Sequence, residues 1–275
     1  MDPSEPTRGA KPPTSRLPRR SQLADTFLFG LAVLLLALFM ARGTENLGYH
    51  WQWYRVPQYL FTVDEQGFQP GPLLQGLGVT LEITGISLVL AFVFGVTAAL
   101  FRISRSFAAR WVARGYVETV RNTPLLVQLF FIYFVLGPIL GIDRMTSAVL
   151  ALSLFEGAYA SEILRSGIES VEKTQWEAAF SVGLHGPGAF WLVVFPQALR
   201  RVLPPLTSQA ISLLKDSALV STIAVFDLTM RGRAIISETY LTFELWFTVA
   251  GIYLAIALIL SAVVSALRKR MEVNT

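Results

Sequence analysis

Ionisable residues set in otherwise apolar sequence are the places where this chain could do chemistry. Glu156 follows eleven uncharged residues, Met145 to Phe155, and precedes the small residues Gly157, Ala158, Ala160 and Ser161. Lys215 and Asp216 follow thirteen uncharged residues, Val202 to Leu214, and precede ten more. Glu82 falls about five residues into a further apolar stretch. A charge within a membrane span is costly enough that a role is its default reading. For Glu82 the competing reading is a carboxylate that snorkels to the interface. For Lys215 and Asp216 a structural ion pair with a neighbouring helix competes with a place on a substrate pathway. Adjacent helical residues point about 100° apart, so these two need not pair with each other. No catalytic set accompanies them. The sequence has no Gly-rich loop ending in Lys-Ser or Lys-Thr, no H-E-x-x-H and no G-x-S-x-G, so it lacks the P-loop cradle for ATP phosphates, the zinc helix and the nucleophile elbow. Without cysteine there is no thiol nucleophile, disulfide or sulfur-ligated metal, and two histidines are too few for a histidine metal centre. Energy for any pumping must come from another chain.

The elements that position these groups are membrane spans. Hydrophobic residues make up 53% of the 275 and charged residues 15%, with a mean hydropathy of +0.52, a membrane-protein balance. Asn122 to Ile142 and Leu245 to Leu267 are charge-free over 21 and 23 residues, each enough to cross a hydrocarbon core of about 30 Å. Six spans are predicted: Thr26 to Ala41, Leu77 to Phe101, Pro124 to Leu140, Thr146 to Leu164, Val202 to Phe226 with Pro204 and Pro205 as a helix start, and Leu245 to Leu267. Of the 23 basic residues, 17 then fall on one side, before residue 26, in 102–123, in 165–203 and after 267, against five on the other. The positive-inside rule makes the first side cytoplasmic and explains the net charge of +4 without nucleic acid. The fold class expected is an all-α integral membrane protein with both termini cytoplasmic.

Residues 1–22, rich in Pro, Ser, Thr and Arg, read as a disordered cytoplasmic tail. Residues 23–41 read as an uncleaved N-terminal helix, because the residues after Leu38 offer no small-residue cleavage site of the kind that ends a signal peptide. Segment 42–75 holds Trp51, Trp53, Tyr54, Tyr59 and Phe61 with three prolines. It should lie along the outer interface, where Trp and Tyr prefer the headgroup level, and docking of an external partner is compatible with that. Residues 271–275 form a second cytoplasmic tail.

Between the fourth and fifth spans lies the block 177–196, E-A-A-F-S-V-G-L-H-G-P-G-A-F-W-L-V-V-F-P. Glu177 and Ser181 share a helical face, Gly183 suits a helix end, and Gly186-Pro187 restarts a helix with proline in its first turn. Ala178 and Ala179 would let a partner approach closely, and Phe190, Trp191, Val194 and Phe195 supply apolar area. On these features alone the block could equally be an amphipathic hairpin resting on the bilayer. Its order, Glu177-Ala178-Ala179, three residues, Gly183, nine residues, Val193-Val194-Phe195-Pro196, resembles the EAA signature of bacterial ABC-importer permeases, with Val193 and Phe195 replacing the usual isoleucine and leucine. The family's glycine before the glutamine upstream of the glutamate is here Thr174, and His185-Gly186-Pro187-Gly188 is less polar than is common. Residues 118–134, 157–171 and 203–221 resemble the polar amino-acid subgroup of these permeases.

The resemblance implies a permease domain over 76–270, a five-helix core carrying the EAA loop 165–203, with the N-terminal helix as an addition. It implies a permease subunit of a binding-protein-dependent importer of polar amino acids in the bacterial inner membrane. The partners implied are a dimer of cytoplasmic ABC ATPases, a second permease subunit, identical or homologous, and an extracytoplasmic amino-acid-binding protein. Glu177, Ala178, Ala179, Gly183 and Leu184 would couple to the ATPase; Glu82, Glu156, Lys215 and Asp216 are candidates for the translocation pathway. No cofactor is expected on this chain, ATP and Mg being held by the partner. Two readings from other classes stay open at this point. One is a membrane scaffold or receptor subunit that recruits a cytoplasmic partner without transport. The other is a membrane-embedded enzyme using Glu156, Lys215 and Asp216, for which no nucleophile–base pair can be assembled.

Overall fold

A computed structural model describes residues 22–46, 48–64 and 67–273; the expected tail over 1–22 and the end of 271–275 fall outside them, apart from Gln22 and residues 271–273, which are helical. The chain divides into two units, Met1–Trp51 and Gln52–Thr275. Among the described residues the first contains one helix, α1 (Gln22–Asn46). It runs past the expected end at Ala41 because no proline follows in 42–46 to stop it. Phe27, Phe29 and Phe39 are exposed along it, as on a helix meant for an apolar surrounding.

The second unit opens with a 3₁₀ turn at Trp53–Arg55 and the short helix α2 (Pro57–Leu60). An antiparallel hairpin follows, β1 (Phe61–Asp64) and β2 (Gly67–Pro70), so the fold is not wholly α. Its turn is closed by Gly67 at φ +99°, and Phe61 and Phe68 stack at 5.8 Å between ring centroids. Gly71 N–H donates to the Leu60 carbonyl at 2.8 Å, and a Cβ at Gly71 would lie 2.5 Å from the Tyr59 carbonyl oxygen, so only glycine fits. Tyr59 and Leu60 pack on the buried cluster of Leu73, Leu228, Leu241 and Leu245.

Helix α3 (Pro72–Ile103) starts with proline in its first turn, several residues before the expected Leu77. Then come α4 (Phe107–Arg121), capped by the Ser106 hydroxyl, and α5 (Leu125–Phe130), which continues through a π turn at Phe131–Leu136 into α6 (Gly137–Leu140). Pro124 cannot extend α4, and the chain bends by 109° between α4 and the Leu125–Leu140 stretch. Helix α7 (Arg144–Glu169) begins at Asp143, whose carboxylate accepts the Thr146 N–H at 3.0 Å; that bonding to Thr146 holds the Asp143 carboxyl below its ordinary range. After α8 (Lys173–Ser181), a single unbroken helical run covers 186–216: α9 (Gly186–Ala189), a π turn at Phe190–Val194, and α10 (Phe195–Asp216). A 3₁₀ segment, Ser217–Ile223, leads to α11 (Leu228–Thr239) and α12 (Thr242–Val273).

Among the described residues three helices, α3, α7 and α12, are long and apolar enough to cross a membrane, and the bent pair α4 plus Leu125–Leu140 makes a fourth if counted as one span. Six were expected. The expected fifth span, 202–226, is divided: its helix starts earlier, at Phe195, and ends at Asp216. The 3₁₀ segment beyond it closes at Ala224 with φ +58°. Pro204 and Pro205 lie inside α10 and do not start it.

Helices α3 and α7 are the closest neighbours, through small residues. A Cβ at Gly95 would meet the Ala160 Cβ at 2.8 Å, and one at Gly157 would meet the Phe94 Cβ at 2.8 Å and the Tyr116 Oη at 3.0 Å. Such contacts let backbones approach where apolar surroundings give little driving force between helices. Beside them the main core gathers Ile83, Leu129, Leu152, Leu213 and Ile223 from α3, α5, α7, α10 and the 3₁₀ segment. Gly157→Val should overpack this contact and cost about 1–3 kcal/mol, read as a lowered melting temperature of the purified chain. A melting temperature equal to the wild type would show that the helices can part there without loss.

Candidate functional site

Two sites emerge, one polar group inside the helical body and one exposed turn. In the first, Glu156 is 3% exposed on α7, and neither carboxylate oxygen has a hydrogen-bond partner. The buried hydroxyls of Ser147 and Ser161, on the same helix, are also unpartnered. Buried polar atoms are nearly always bonded, so an unbonded carboxylate in a packed interior calls for an explanation in function. The groups nearest in effect lie on α10: the Gln209 amide and the Asp216 carboxylate. The structure therefore brings Glu156 and Asp216 to one helix interface and adds Gln209.

The other two candidates lie apart. Lys215 is exposed as the penultimate residue of α10, and Asp216 is its last, half-buried residue. They sit at a helix end where the chain tightens to 3₁₀, rather than well within a helix as the run of uncharged residues suggested. Glu82 is exposed on α3. Because α3 starts at Pro72, Glu82 is ten residues past the helix start, about 15 Å along the axis. That is twice the expected depth. Neither Glu82 nor Lys215 forms a salt bridge among the described residues.

At the other end of α7, Glu162 takes three arginines from three helices. It pairs with Arg102 of α3 and with Arg165 one turn on, and Arg121 of α4 lies 3.6 Å away. Arg165 also pairs with Glu169, and Arg121 stands over the Tyr159 ring at 5.3 Å. A cavity of about 310 Å³ opens here, lined by Arg102, Glu118, Arg121, Asn122, Tyr159 and Glu162 among others. Sequence reasoning missed this group and Gln209. Arg102, Arg121 and Glu162 are far apart in the chain, and no local spacing signals that they meet.

The exposed turn is built by α8 and the start of the 186–216 run. Helix α8 ends in a closed cap: Leu184 N–H donates to the Ala179 carbonyl at 3.1 Å and Gly183 N–H to the Phe180 carbonyl at 3.0 Å, with Gly183 at φ +84°. That left-handed conformation is what glycine supplies at position 183, since a Cβ there would meet nothing within 4 Å. Beneath the turn, Trp176 packs on Phe190 in a cluster with Val171, Val194 and Ala198, and Gln197 donates to the Gln175 side chain at 3.1 Å. Arg201 donates to the Ser170 carbonyl and hydroxyl.

Of the residues singled out here, Glu177, Ala178 and Gly183 are exposed and Leu184 is half-buried. Ala179 is 3% exposed, covered by the chain itself, so it is not open to a partner as its small size had suggested. Val194 is likewise fully buried, whereas Trp191 and Leu192 are exposed. Phe180 and Val182, the latter 78% exposed, give the turn apolar surface that the sequence reading passed over. The signal was present: both are apolar and lie within three residues of a glycine that must end the helix.

Long apolar helices, a buried unbonded carboxylate on one of them beside α10 and a capped exposed turn define a membrane permease subunit. Residues 91–273 match the family described as binding-protein-dependent transport system inner membrane component. The glutamine transport system permease protein GlnP of Escherichia coli (strain K12) is 38% identical over 204 residues, 73% of this chain and 93% of the relative. The L-cystine transport system permease protein TcyB of Bacillus subtilis (strain 168) is 37% identical over 210 residues, 76% of this chain and 89% of the relative. Among solved structures, one described as an amino acid ABC transporter with histidines is 37% identical, with a TM-score of 0.69 over 72% of this chain and 94% of that chain. The chain belongs to this family of transport-system inner membrane components and has the ABC-importer permease fold.

The Glu162 group gives a test of the geometry alone. Glu162→Ala leaves Arg102, which is mostly buried, without a partner and should cost about 1–2 kcal/mol, less than a fully buried pair because water reaches it. Glu169→Ala, at the exposed end of the chain of pairs, should cost less than half as much. Thermal denaturation of the two variants compares them, and equal effects would mean that Glu162 does not bind α3, α4 and α7 together.

Proposed function

We propose that this chain is the membrane subunit of an importer for polar amino acids, driven by ATP hydrolysis on separate subunits. The observation that carries the reading is the exposed turn at Glu177–Leu184, rigid in itself and joined to an unbroken helical run that ends at the polar group. Two permease subunits, identical or homologous, would enclose the path. A dimer of cytoplasmic ABC ATPases would hold ATP and Mg, and an extracytoplasmic binding protein would deliver the amino acid. Six spans, with α1 added to a core over 76–270, would leave both termini in the cytoplasm and segment 42–75 outside. The EAA-like turn, 165–203 with its flanking helices, would then face the ATPase. The chain itself would hold no cofactor. Relatives named for glutamine, L-cystine and arginine transport support the amino-acid class without choosing among its members.

In this reading the apolar surface of Phe180 and Val182 and the carboxylate of Glu177 meet the ATPase, while Gly183 keeps the turn in register. Glu156 and Asp216 offer carboxyl groups, and Gln209 an amide, to a substrate ammonium group in a place where water is scarce. Glu82 and Lys215, exposed on this chain, would face the path or the second permease. Alternation of the cavity between the two sides would follow movement of the turn with α10.

Gly183→Asp or Glu177→Lys should lower amino-acid uptake by membrane vesicles at least tenfold while the protein still inserts and reaches normal levels. Wild-type uptake in both would remove the coupling role. Charge reversal at Glu156 or Asp216 should change the rate or the amino-acid selectivity of uptake by the complete importer. If neither variant alters either quantity, the path does not run past them.

A further inference from the structure

Helix α4 has two unlike faces. One packs inward: Ala113 and Val117 are buried, and the Tyr116 hydroxyl donates to the Leu154 carbonyl of α7 at 2.6 Å. The other carries an aromatic pair, Phe107 (68% exposed) and Trp111 (61% exposed), their rings 5.9 Å apart and one helical turn from each other. Arg105 and Arg114 flank the pair, both exposed and without an ion pair among the described residues. Arg110, by contrast, is tied back to the Ser104 and Arg105 carbonyls and fixes the turn that enters the helix. Glu118, the one acidic side chain on this face, lies three turns from Phe107 and one turn beyond Arg114, toward the Arg121 end.

The 109° bend sets α4 across the direction of the Leu125–Leu140 stretch that follows. If that stretch crosses a bilayer, α4 lies close to the membrane plane. Its arginines bar it from the hydrocarbon core, and its exposed Phe and Trp disfavour bulk water. An in-plane helix with aromatic residues beside arginine matches the chemistry of an interface with negatively charged headgroups. Through Arg121 near Glu162 and Tyr116 on Leu154, the same helix is fixed to α7, which bears Glu156.

We propose that the Phe107–Trp111 face of α4, with Arg105 and Arg114, is a seat for anionic phospholipid that holds α4, and with it α7, in place. The seat rests on the proposed function only for the leaflet it occupies, the cytoplasmic one.

The test uses the full-length chain in lipid nanodiscs of phosphatidylglycerol or phosphatidylcholine, each brominated at the same acyl position. The Trp111 signal is the difference between wild type and Trp111→Phe, since the chain has six tryptophans. Brominated phosphatidylglycerol should quench this signal at least twofold more than brominated phosphatidylcholine, and Arg105→Gln with Arg114→Gln should abolish the preference while folding is kept. Equal quenching by the two lipids, or a preference that survives both substitutions, overturns the proposal. So does loss of quenching when the partner ATPase is bound, which would give the face to a protein. A chain that prefers phosphatidylglycerol here but fails to import amino acids would overturn the transport reading and leave the lipid seat standing.

Discussion

The near contact of α3 with α7 is the constraint on which the rest of this structure depends. Gly95 against Ala160, and Gly157 against Phe94 and Tyr116, bring backbone to backbone, and no larger residue fits without a shift. Because the helices touch there, Tyr116 of α4 reaches the Leu154 carbonyl and Glu162 of α7 reaches Arg102 of α3. The Tyr116 contact, together with Arg121 beside Glu162, fastens α4 across the outside of the pair. The small residues that permit the approach surround Glu156 in sequence, so the packing that closes α3 onto one side of α7 turns the Glu156 carboxylate toward α10 on the other.

The run 186–216 joins the two candidate sites mechanically. Its first turns are clamped to α8 by the Trp176–Phe190 contact and by Gln175–Gln197, and its last residue is Asp216. From Phe190 to Asp216 a helix rises about 39 Å, enough to carry a displacement across most of a membrane. It is not uniform along that length. Pro204 and Pro205 have no N–H to give, so the carbonyls of Arg200 and Arg201 lack their usual intrahelical partners, and a π turn at Phe190–Val194 already departs from regular winding. The irregular places lie within the α8 clamp and just before Gln209. A push at the turn would therefore bend the run between its two anchored ends rather than carry it as a rod.

What the sequence could reveal was local, and what it concealed was long-range or a matter of helix phase. The end of α8 at Gly183 was legible because a cap needs a residue that tolerates positive φ, and the restart at Gly186-Pro187 because proline suits a first turn. The prolines at 204 and 205 misled for the same reason: a pair that commonly opens a helix is here held inside one already begun at Phe195. Glu82 was placed too shallow because Pro72, not Leu77, opens α3, and charge-free counting does not see a helix start lying in a polar segment. The hairpin at 61–70 escaped because four-residue strands leave almost no period to detect. The Glu162 group escaped because Arg102, Arg121 and Glu162 are separated by 19 to 60 residues and meet only once α3, α4 and α7 pack.

The buried face of Ala179 sharpens the meaning of the EAA-like block. A small side chain is consistent with two demands, room for a partner or room for the protein's own chain, and spacing alone does not separate them. Here the two alanines divide the demands. Ala179 is buried by the chain itself while its carbonyl accepts the capping N–H of Leu184. Ala178 stays on the surface beside Glu177. A larger residue at 179 would act first on how the turn is held, and one at 178 on what the turn can touch. The three-letter block thus contains both the fastening of the turn and part of its exposed surface, and Gly183 sets the angle between them.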